Sequence, residues 1–191
     1  MKKILLLGVF LFTLNLSFSQ TTKQNVERDF INYSKLISEN KIDEALEYAN
    51  PKLFEVFPKE NMKNLMEAVF KMPNIEYKIF SPIIKEISEV KKLENIDYIK
   101  IKTISPIEMK FTDIDLNDKN SLQMMLNSFE TKFGRENVIY NQETGFFKIN
   151  ANKEIIASST DDKKNWKFIT IDNPRMKTLL EKVVPSEILE Q

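Results

Sequence analysis

The chain has 191 residues, of which 42% are hydrophobic and 29% are charged, and its 28 basic side chains balance its 28 acidic ones. This is the composition of a single domain with an apolar core, and the zero net charge gives no reason to expect nucleic-acid binding. The chain contains no cysteine and no histidine. We therefore expect no disulfide, no lipid anchor on a cysteine, and no catalysis that depends on an imidazole or a thiol.

The N-terminal residues have the features of a secretory signal peptide. Two lysines precede an apolar run over residues 4–16, and small residues follow at 17–19, where a signal peptidase would cleave. The sequence therefore predicts a signal peptide over residues 1–19 and one mature domain over 20–191, exported to the periplasm or out of the cell. We expect no membrane span, because no later stretch is long and apolar enough.

The part of the chain from Thr22 to Pro73 has the periodicity of three short helices. The first ends at Asn40, a residue that tolerates the left-handed conformation, the second runs from Ile42 to Pro51, and the third begins at Pro58. Each helix is too short to be stable alone, so we expect all three to bury their apolar stripes on a sheet. These stripes are Val26, Phe30, Tyr33 and Ile37; Ile42, Ala45, Leu46 and Ala49; and Met62, Leu65, Met66, Val69 and Phe70.

The middle of the chain is predicted to form strands, because apolar and polar residues alternate there with a period of two. Pro82 marks a bend or an edge position, and a turn is predicted over residues 91–95. The segment after Pro106 is either a new strand or the continuation of the preceding one past a bulge. The predicted strands cover residues 75–79, 83–90, 96–104 and 107–111.

Helical spacing returns over residues 120–133 and interrupts the sheet. We expect Asn120 to cap the start of this helix and Gly134 its end. Two hairpins follow, with polar loops at 142–145 and 160–165. The remaining predicted elements are strands at 138–140, 147–149, 155–159 and 166–171, a closing helix over 174–182 and an amphipathic tail over 183–189.

Three short motifs accompany this order of elements: Asn40–Leu46 between two helices, Asn50-Pro51 before the third, and Asn165–Ile169 with a tryptophan near the last strand. With them, residues 22–172 resemble the nuclear transport factor 2-like superfamily, whose cone-shaped, cystatin-like fold is shared with SnoaL-like proteins. The helix near 120–133 is extra to that plan. The resemblance implies an α+β fold, with N-terminal helices packed on a curved, mostly antiparallel sheet and a cavity between them. Some members are isomerases or cyclases, so the fold does not determine the function.

A metal site is not expected. Asp113, Asp115 and Asn117 match the opening of a calcium-binding loop, but Asp118 stands where the loop needs glycine and Met124 where it needs a bidentate glutamate. We interpret this segment as a solvated loop, and we predict no cofactor.

Catalysis would require a carboxylate inside an apolar pocket. Glu76, Asp97 and Glu108 alternate with apolar neighbours and are expected to point outward, so no catalytic residue is assigned. Ligand binding is expected instead from aromatic residues that face the space between helices and sheet, although the same residues would also suit a core. They are Tyr33, Tyr48, Phe54, Phe57, Tyr77 and Trp166.

These observations favour an exported, non-enzymatic domain that binds a small apolar ligand or a protein partner through the cavity or the edge of a curved sheet. Two alternatives stay open. One is a cofactor-free enzyme of the isomerase or cyclase type that uses a buried carboxylate. The other is a homodimeric interaction module.

Overall fold

The structure is a computed structural model that describes residues 21–171 and 179–190. Within these ranges the chain is an α+β protein with six α-helices and one seven-stranded antiparallel sheet, which does not close into a barrel. The predicted signal peptide lies outside the described residues, as does most of the predicted closing helix over 174–182. No helix in the described part is long and apolar enough to cross a bilayer.

The elements follow the predicted order of helices, strands, one helix and further strands. The helices are α1 (residues 21–38), α2 (Ile42–Leu46), α3 (Leu53–Val56), α4 (Lys59–Phe70), α5 (Lys119–Phe133) and α6 (Ser186–Leu189), with a 3-10 turn at Arg135–Asn137. The strands are β1 (Ile75–Ile79), β2 (Ile83–Ile87), β3 (Lys91–Leu93), β4 (Ile96–Phe111), β5 (Val138–Asn141), β6 (Phe146–Ser159) and β7 (Lys167–Ile171).

Two long strands form the centre of the sheet. β4 and β6 pair antiparallel from Asp97 opposite Ser159 to Met109 opposite Phe147. The other edge of β4 pairs with β3, β2 and β1 in turn, and the other edge of β6 pairs with β7 and β5. Residues 150–153 of β6 lie between the segments that pair with β5 and with β7. The sheet therefore has two halves that share two continuous strands.

β4 passes through Pro106, which resolves the alternative that the sequence left open. Residues 107–111 continue the strand and pair with β1, with Ile75 opposite Phe111. The carbonyl of Pro106 accepts a hydrogen bond from the Phe80 N–H at 3.1 Å. Because the N–H and C=O of one strand residue point to the same side, the missing N–H of Pro106 faces the junction of β1 and β2. Pairing with β6 is left intact.

The predicted turn over residues 91–95 is too long. Lys91–Leu93 form β3, which pairs with the start of β4. Only Glu94 and Asn95 form the turn, and both have positive φ, 49° and 64°, as a two-residue type I′ hairpin requires. The two lysines make this segment look like a loop, but lysine is well tolerated on an edge strand such as β3.

The helix ends agree with the sequence at two positions and differ at one. Asn40 after α1 has a φ of 55° and Gly134 after α5 has a φ of 90°, as predicted for residues that end helices. The residue that caps the start of α5 is Asp118, not Asn120, because its carboxylate accepts a hydrogen bond from the Ser121 backbone N–H at 2.8 Å. This bond lowers the pKa of Asp118 below its ordinary value.

The half of the sheet that contains β2, β3 and β7 is buried on both faces. One face, called the α1 face here, packs against Val26 and Phe30 of α1. The other buried residues of this cluster are Ile99, Ile101, Ile155, Ala157 and Phe168 of the sheet and Trp166 just before β7. The opposite face, called the tail face, packs against α3 and the C-terminal segment. Its cluster comprises Leu53, Tyr98, Ile156, Ile169, Leu180, Val183, Val184, Ile188 and Leu189, which confirms that the tail is amphipathic.

α4 differs from the other N-terminal helices because none of its residues is fully buried. Val26 of α1 and Leu46 of α2 are 0% and 2% exposed, whereas Leu65 and Val69 of α4 are 59% and 38% exposed. The prediction that each helix buries its apolar stripe is therefore correct for α1 and α2. It holds only in part for α4, where Met62 is half-buried against the tail-face cluster and Leu65 and Val69 are exposed.

The carboxylate of Asp161 organises the loop between β6 and β7. It accepts hydrogen bonds from the Ser159 hydroxyl at 2.8 Å, from the Asn165 backbone N–H at 3.1 Å, and from the Asn165 side-chain amide. These donors, the Asn165 amide foremost, lower the pKa of Asp161 to about 2. The carboxylate therefore stabilises the fold fully above the unfolded pKa of about 3.9, and this contribution disappears as the pH falls through about 2.

An NMR titration of the Asp161 carboxyl group is expected to give a midpoint near 2 in the native protein. Asn165→Ala removes the largest cause of the shift, so we expect the midpoint to rise toward the ordinary value of aspartate. An ordinary midpoint in the unmodified protein would show that these hydrogen bonds do not form in solution.

Candidate functional site: an apolar groove beside strand β7

An open groove of about 490 Å³ lies between α1, α4 and strand β7. Pockets that hold small molecules have volumes of about 300–1,000 Å³, and they are lined mainly by apolar side chains. The groove has both properties. Its lining residues are Tyr33 and Ile37 of α1; Ala49; Leu53 of α3; Met62, Met66, Val69 and Phe70 of α4; Ile79 of β1; Lys153 of β6; and Phe168, Ile169 and Thr170 of β7.

One wall of the groove is the apolar stripe of α4, which is tied to the α2 region by charged side chains. Lys63 of α4 lies 2.7 Å from Asp43 of α2, and Lys59 lies 2.5 Å from Glu47, the residue after α2. Exposed ion pairs of this kind are weak, because solvent screens them. They join α4 to the α2 region on one side, while the apolar stripe of α4 borders the groove.

The floor of the groove is an aromatic stack on β7. The Phe168 ring stacks on Tyr33 with 5.6 Å between centroids and meets Phe30 edge-on at 5.5 Å. The backbone of Phe168 is fixed as well, because its N–H donates to the Tyr48 carbonyl at 2.7 Å and its carbonyl accepts from the Asn50 N–H at 3.2 Å. These hydrogen bonds occupy part of the outer edge of β7, so an additional strand cannot pair there. The floor is thus held in place by packing and by backbone hydrogen bonds.

The groove has one charged side chain, Lys153, among its described lining residues. Lys153 stands on the α1 face of β6, between Ala151 and Ile155 on that face and opposite Thr103 of β4. Thr103 is 2% exposed, and its hydroxyl has no hydrogen-bond partner in the described part of the chain. The groove therefore combines mainly apolar walls with one charged position.

The structure brings part of the predicted aromatic set to the groove. Tyr33 lines it, and the Tyr48 ring lies 6.4 Å from that of Tyr33. Trp166 is 1% exposed and belongs to the core beneath α1. Its indole N–H has no hydrogen-bond partner among the described residues. Trp166 is therefore a core residue in this structure.

The other three predicted aromatic residues do not line the groove. Phe54 has the Lys59 ammonium 5.8 Å from its ring centroid, and Phe57 is half-buried just before α4. The Tyr77 hydroxyl donates to the Met72 sulfur at 3.6 Å, and burial raises the pKa of Tyr77.

Most of the remaining lining was missed by the sequence analysis, because the α4 stripe was expected to be core. Its two methionines, Met62 and Met66, were the available signal. Methionine is flexible and polarizable, and it is common on surfaces that adapt to varied ligands.

Two of the three carboxylates considered for catalysis point outward as expected. Glu76 lies 3.5 Å from the Lys110 ammonium, and Glu108 lies 3.1 Å from that of Lys78 on the neighbouring strand. The expectation for Asp97 is wrong, because Asp97 is only 5% exposed. It stands on the α1 face of β4, and it lines a separate polar pocket of about 410 Å³.

A further buried carboxylate, Asp29 of α1, was missed by the sequence analysis and is 5% exposed. It accepts hydrogen bonds from the Trp166 backbone N–H and from Nε of Arg28, both at 2.9 Å. These bonds fasten α1 to the start of β7. Neither Asp29 nor Asp97 lines the apolar groove, and no group of acidic residues in the described part is placed to hold a metal ion.

Comparison of the chain with protein-family models, with curated proteins and with solved structures finds no match in any of the three. The resemblance to the nuclear transport factor 2-like superfamily therefore stays a prediction. The function has to be inferred from the groove and its surroundings.

Proposed function

We propose that the protein is an exported, non-enzymatic binding protein that takes up one small apolar molecule in the groove beside β7. The groove itself carries this proposal, because it offers about 490 Å³ between apolar walls and has no carboxylate among its described lining residues. Burial of apolar ligand surface contributes about 25 cal/mol per Å², and the fixed floor around Phe168 reduces the ordering cost of binding. Export and a cone-shaped, nuclear transport factor 2-like sheet belong to the same proposal and rest on the sequence patterns.

The enzyme alternative has less support. An isomerase of the type considered needs a carboxylate base next to an apolar substrate. Asp29 is hydrogen-bonded to Trp166 and Arg28, which gives it a structural role. Asp97 shares its pocket mainly with threonine, asparagine and lysine side chains, which do not suit an apolar substrate.

Val69→Trp is expected to weaken the binding of an apolar fluorescent probe such as N-phenylnaphthylamine at least about tenfold, or about 1.4 kcal/mol. Val69 lines the groove and is 38% exposed, so a larger side chain there would fill the groove without entering the core. Fluorescence titration measures the affinity. Native mass spectrometry of protein purified from its host gives a second readout, namely a bound small molecule that the variant loses.

Ala68→Trp is the matched control, because Ala68 is the preceding residue of α4, is exposed, and does not line the groove. We expect this variant to bind the probe as the unmodified protein does. Equal losses of probe affinity in both variants would show that the probe binds outside the groove. An unmodified protein that binds no apolar molecule would refute the proposal.

A homodimeric interaction module is the second candidate, and the exposed end of α4 favours it. Leu65, Val69 and Met72 are 59%, 38% and 43% exposed, and they follow one another at intervals of four and three residues. A second copy of the chain that covered this stripe would also close the groove. Sedimentation equilibrium separates the two candidates, since only the dimer predicts a mass that rises with protein concentration.

A further inference from the structure

We propose that the polar pocket around Asp97 is a second binding site, and that it takes up a free α-amino acid. The ammonium of this ligand binds the Asp97 carboxylate, and the carboxylate of the ligand binds lysine side chains at the rim of the pocket. The site is separate from the groove beside β7, because the two share no residue of their described linings. The inference therefore goes beyond the function proposed above and does not depend on it.

The pocket lies between the first described residues of α1, the hairpin of β3 and β4, and the loop between β6 and β7. Its volume of about 410 Å³ falls in the range of about 300–1,000 Å³ that is usual for small-molecule sites. Two hydrogen bonds fix the loop beside α1. The Asn25 side-chain amide donates to the Lys163 carbonyl at 3.2 Å. Arg28 donates to the Lys164 carbonyl at 3.0 Å, so both lysines of the loop are held at the rim.

Asp97 is a buried carboxylate without a partner in the described part of the chain. It is 5% exposed, and its side chain forms no hydrogen bond or ion pair with another described residue. Solvent still reaches its oxygens, since the fully buried side-chain atoms that lack a partner there are Thr103 Oγ1 and Trp166 Nε1. A buried carboxylate needs donors, because it loses hydration and can only accept hydrogen bonds. A ligand in the pocket can supply these donors.

Asp29 shows how this fold treats a buried carboxylate that has a structural role. It is also 5% exposed, but it accepts hydrogen bonds from the Trp166 backbone N–H and from Arg28, both at 2.9 Å. Within the described residues, Asp97 joins no two elements in this way. A buried polar group that the fold does not satisfy costs stability, and such costs are typical of functional sites. A role in ligand binding therefore explains Asp97 better than a role in folding.

The charges at the rim determine what else the ligand must carry. Lys92 stands directly opposite Asp97 in the pairing of β3 with β4, so the two side chains start on the same face. Lys163 and Lys164 also line the pocket, and neither these two nor Lys92 forms an ion pair with Asp97 in the described structure. Asp162, the other acidic residue of the described lining, is exposed. Asp97 repels a simple anion and the lysines repel a simple cation, whereas an α-amino acid complements both charges.

Isothermal titration calorimetry of the unmodified protein with each of the standard amino acids tests the site. We expect at least one of them to bind. The amino acid that binds most tightly is then compared with its carboxamide and with its N-acetyl derivative, each of which lacks one of the two charges. Either change is expected to weaken binding about tenfold or more, because a charge-assisted hydrogen bond is lost.

Asp97→Asn keeps the shape of the side chain and removes its charge. We expect the affinity for the amino acid to fall about tenfold or more, and the affinity for the N-acetyl derivative to change less than about twofold. Without ligand, the variant is expected to melt at the same temperature as the unmodified protein or at a higher one, because a buried charge without a partner is removed. A carboxylate with a structural role would give a lower melting temperature instead.

The triple variant Lys92→Gln, Lys163→Gln, Lys164→Gln tests the other end of the ligand. Its preference for the free amino acid over the carboxamide is expected to fall below about twofold. Glu94→Gln is the matched control, because Glu94 is exposed in the turn before β4 and does not line the pocket. We expect this control to bind the amino acid as the unmodified protein does.

Absence of binding for every amino acid would overturn this inference and leave the groove beside β7 standing. Equal binding of the amino acid and both derivatives would overturn it too, since neither charge would then be recognised. A lower melting temperature of Asp97→Asn would overturn it by assigning the carboxylate to the fold. The comparison of the three ligands in the unmodified protein decides the question even if a variant fails to fold.

Discussion

Phe147→Ala is expected to lower the free energy of unfolding by about 4 kcal/mol, because it leaves a cavity beneath α5. Phe147 is 0% exposed, and its ring centroid lies 4.7 Å from Tyr140, 5.1 Å from Phe129 and 6.2 Å from Phe111. No residue of α5 is fully buried, so the contact of Phe129 with Phe147 is a main attachment of this helix to the sheet. The substitution should therefore release α5 as well as destabilise the domain.

Chemical denaturation followed by the fluorescence of Trp166 measures the global effect, and hydrogen exchange of the α5 amides measures the release of the helix. Met124→Ala on α5 is the control, because Met124 is 73% exposed, and we expect a change below about 0.5 kcal/mol. A loss below about 2 kcal/mol in Phe147→Ala, with the α5 amides still protected, would show that α5 has another attachment.

Asp29→Ala is expected to cost about 2–3 kcal/mol of stability, because it leaves the Trp166 backbone N–H buried without an acceptor. The side chain of Asp29 is 7% exposed, whereas that of its ion-pair partner Arg28 is 53% exposed. The hydrogen bond to Trp166 at 2.9 Å is therefore the more costly of the two interactions to lose. Thermal and chemical denaturation both report the change.

Two variants separate the hydrogen bond from the ion pair at Asp29. Arg28→Ala removes the exposed partner together with its hydrogen bonds to the Asn25 side chain and the Lys164 carbonyl, and it should cost less than about 1 kcal/mol. Asp29→Asn keeps a side-chain oxygen that can accept from the Trp166 N–H, so we expect a loss between those of the other two variants. A cost for Arg28→Ala as large as that for Asp29→Ala would show that the Asp29–Trp166 hydrogen bond is not the main source of the stabilisation.

Much of the fold can be predicted from local patterns. The hairpin of β5 and β6 follows from alternating side chains on either side of a turn that contains Gly145, whose φ is 74°. Local patterns fail where a strand continues through a stretch of mostly polar residues. The segments 147–149 and 155–159 were predicted as separate strands, yet β6 runs through residues 150–154, because backbone pairing with β4 does not require apolar side chains.

The groove could not be predicted in the same way. Helical spacing shows that Met62, Met66 and Val69 share a face, but not how far that face stands from the sheet. That distance depends on contacts with residues remote in sequence, such as the ion pair of Lys63 with Asp43. The inward position of Lys153 likewise depends on the strand register between β4 and β6, which alternation within a polar stretch does not specify.

Methyl NMR spectra recorded during a titration with dodecanol test the central claim, apolar ligand binding beside β7, most directly. We predict that shifts change at Ile37, Met66 and Val69, which line the groove, and stay constant at Val184 and Ile188 in the tail-face cluster. Changes at the tail-face residues without changes at Val69, or no changes at all with excess dodecanol, would contradict it.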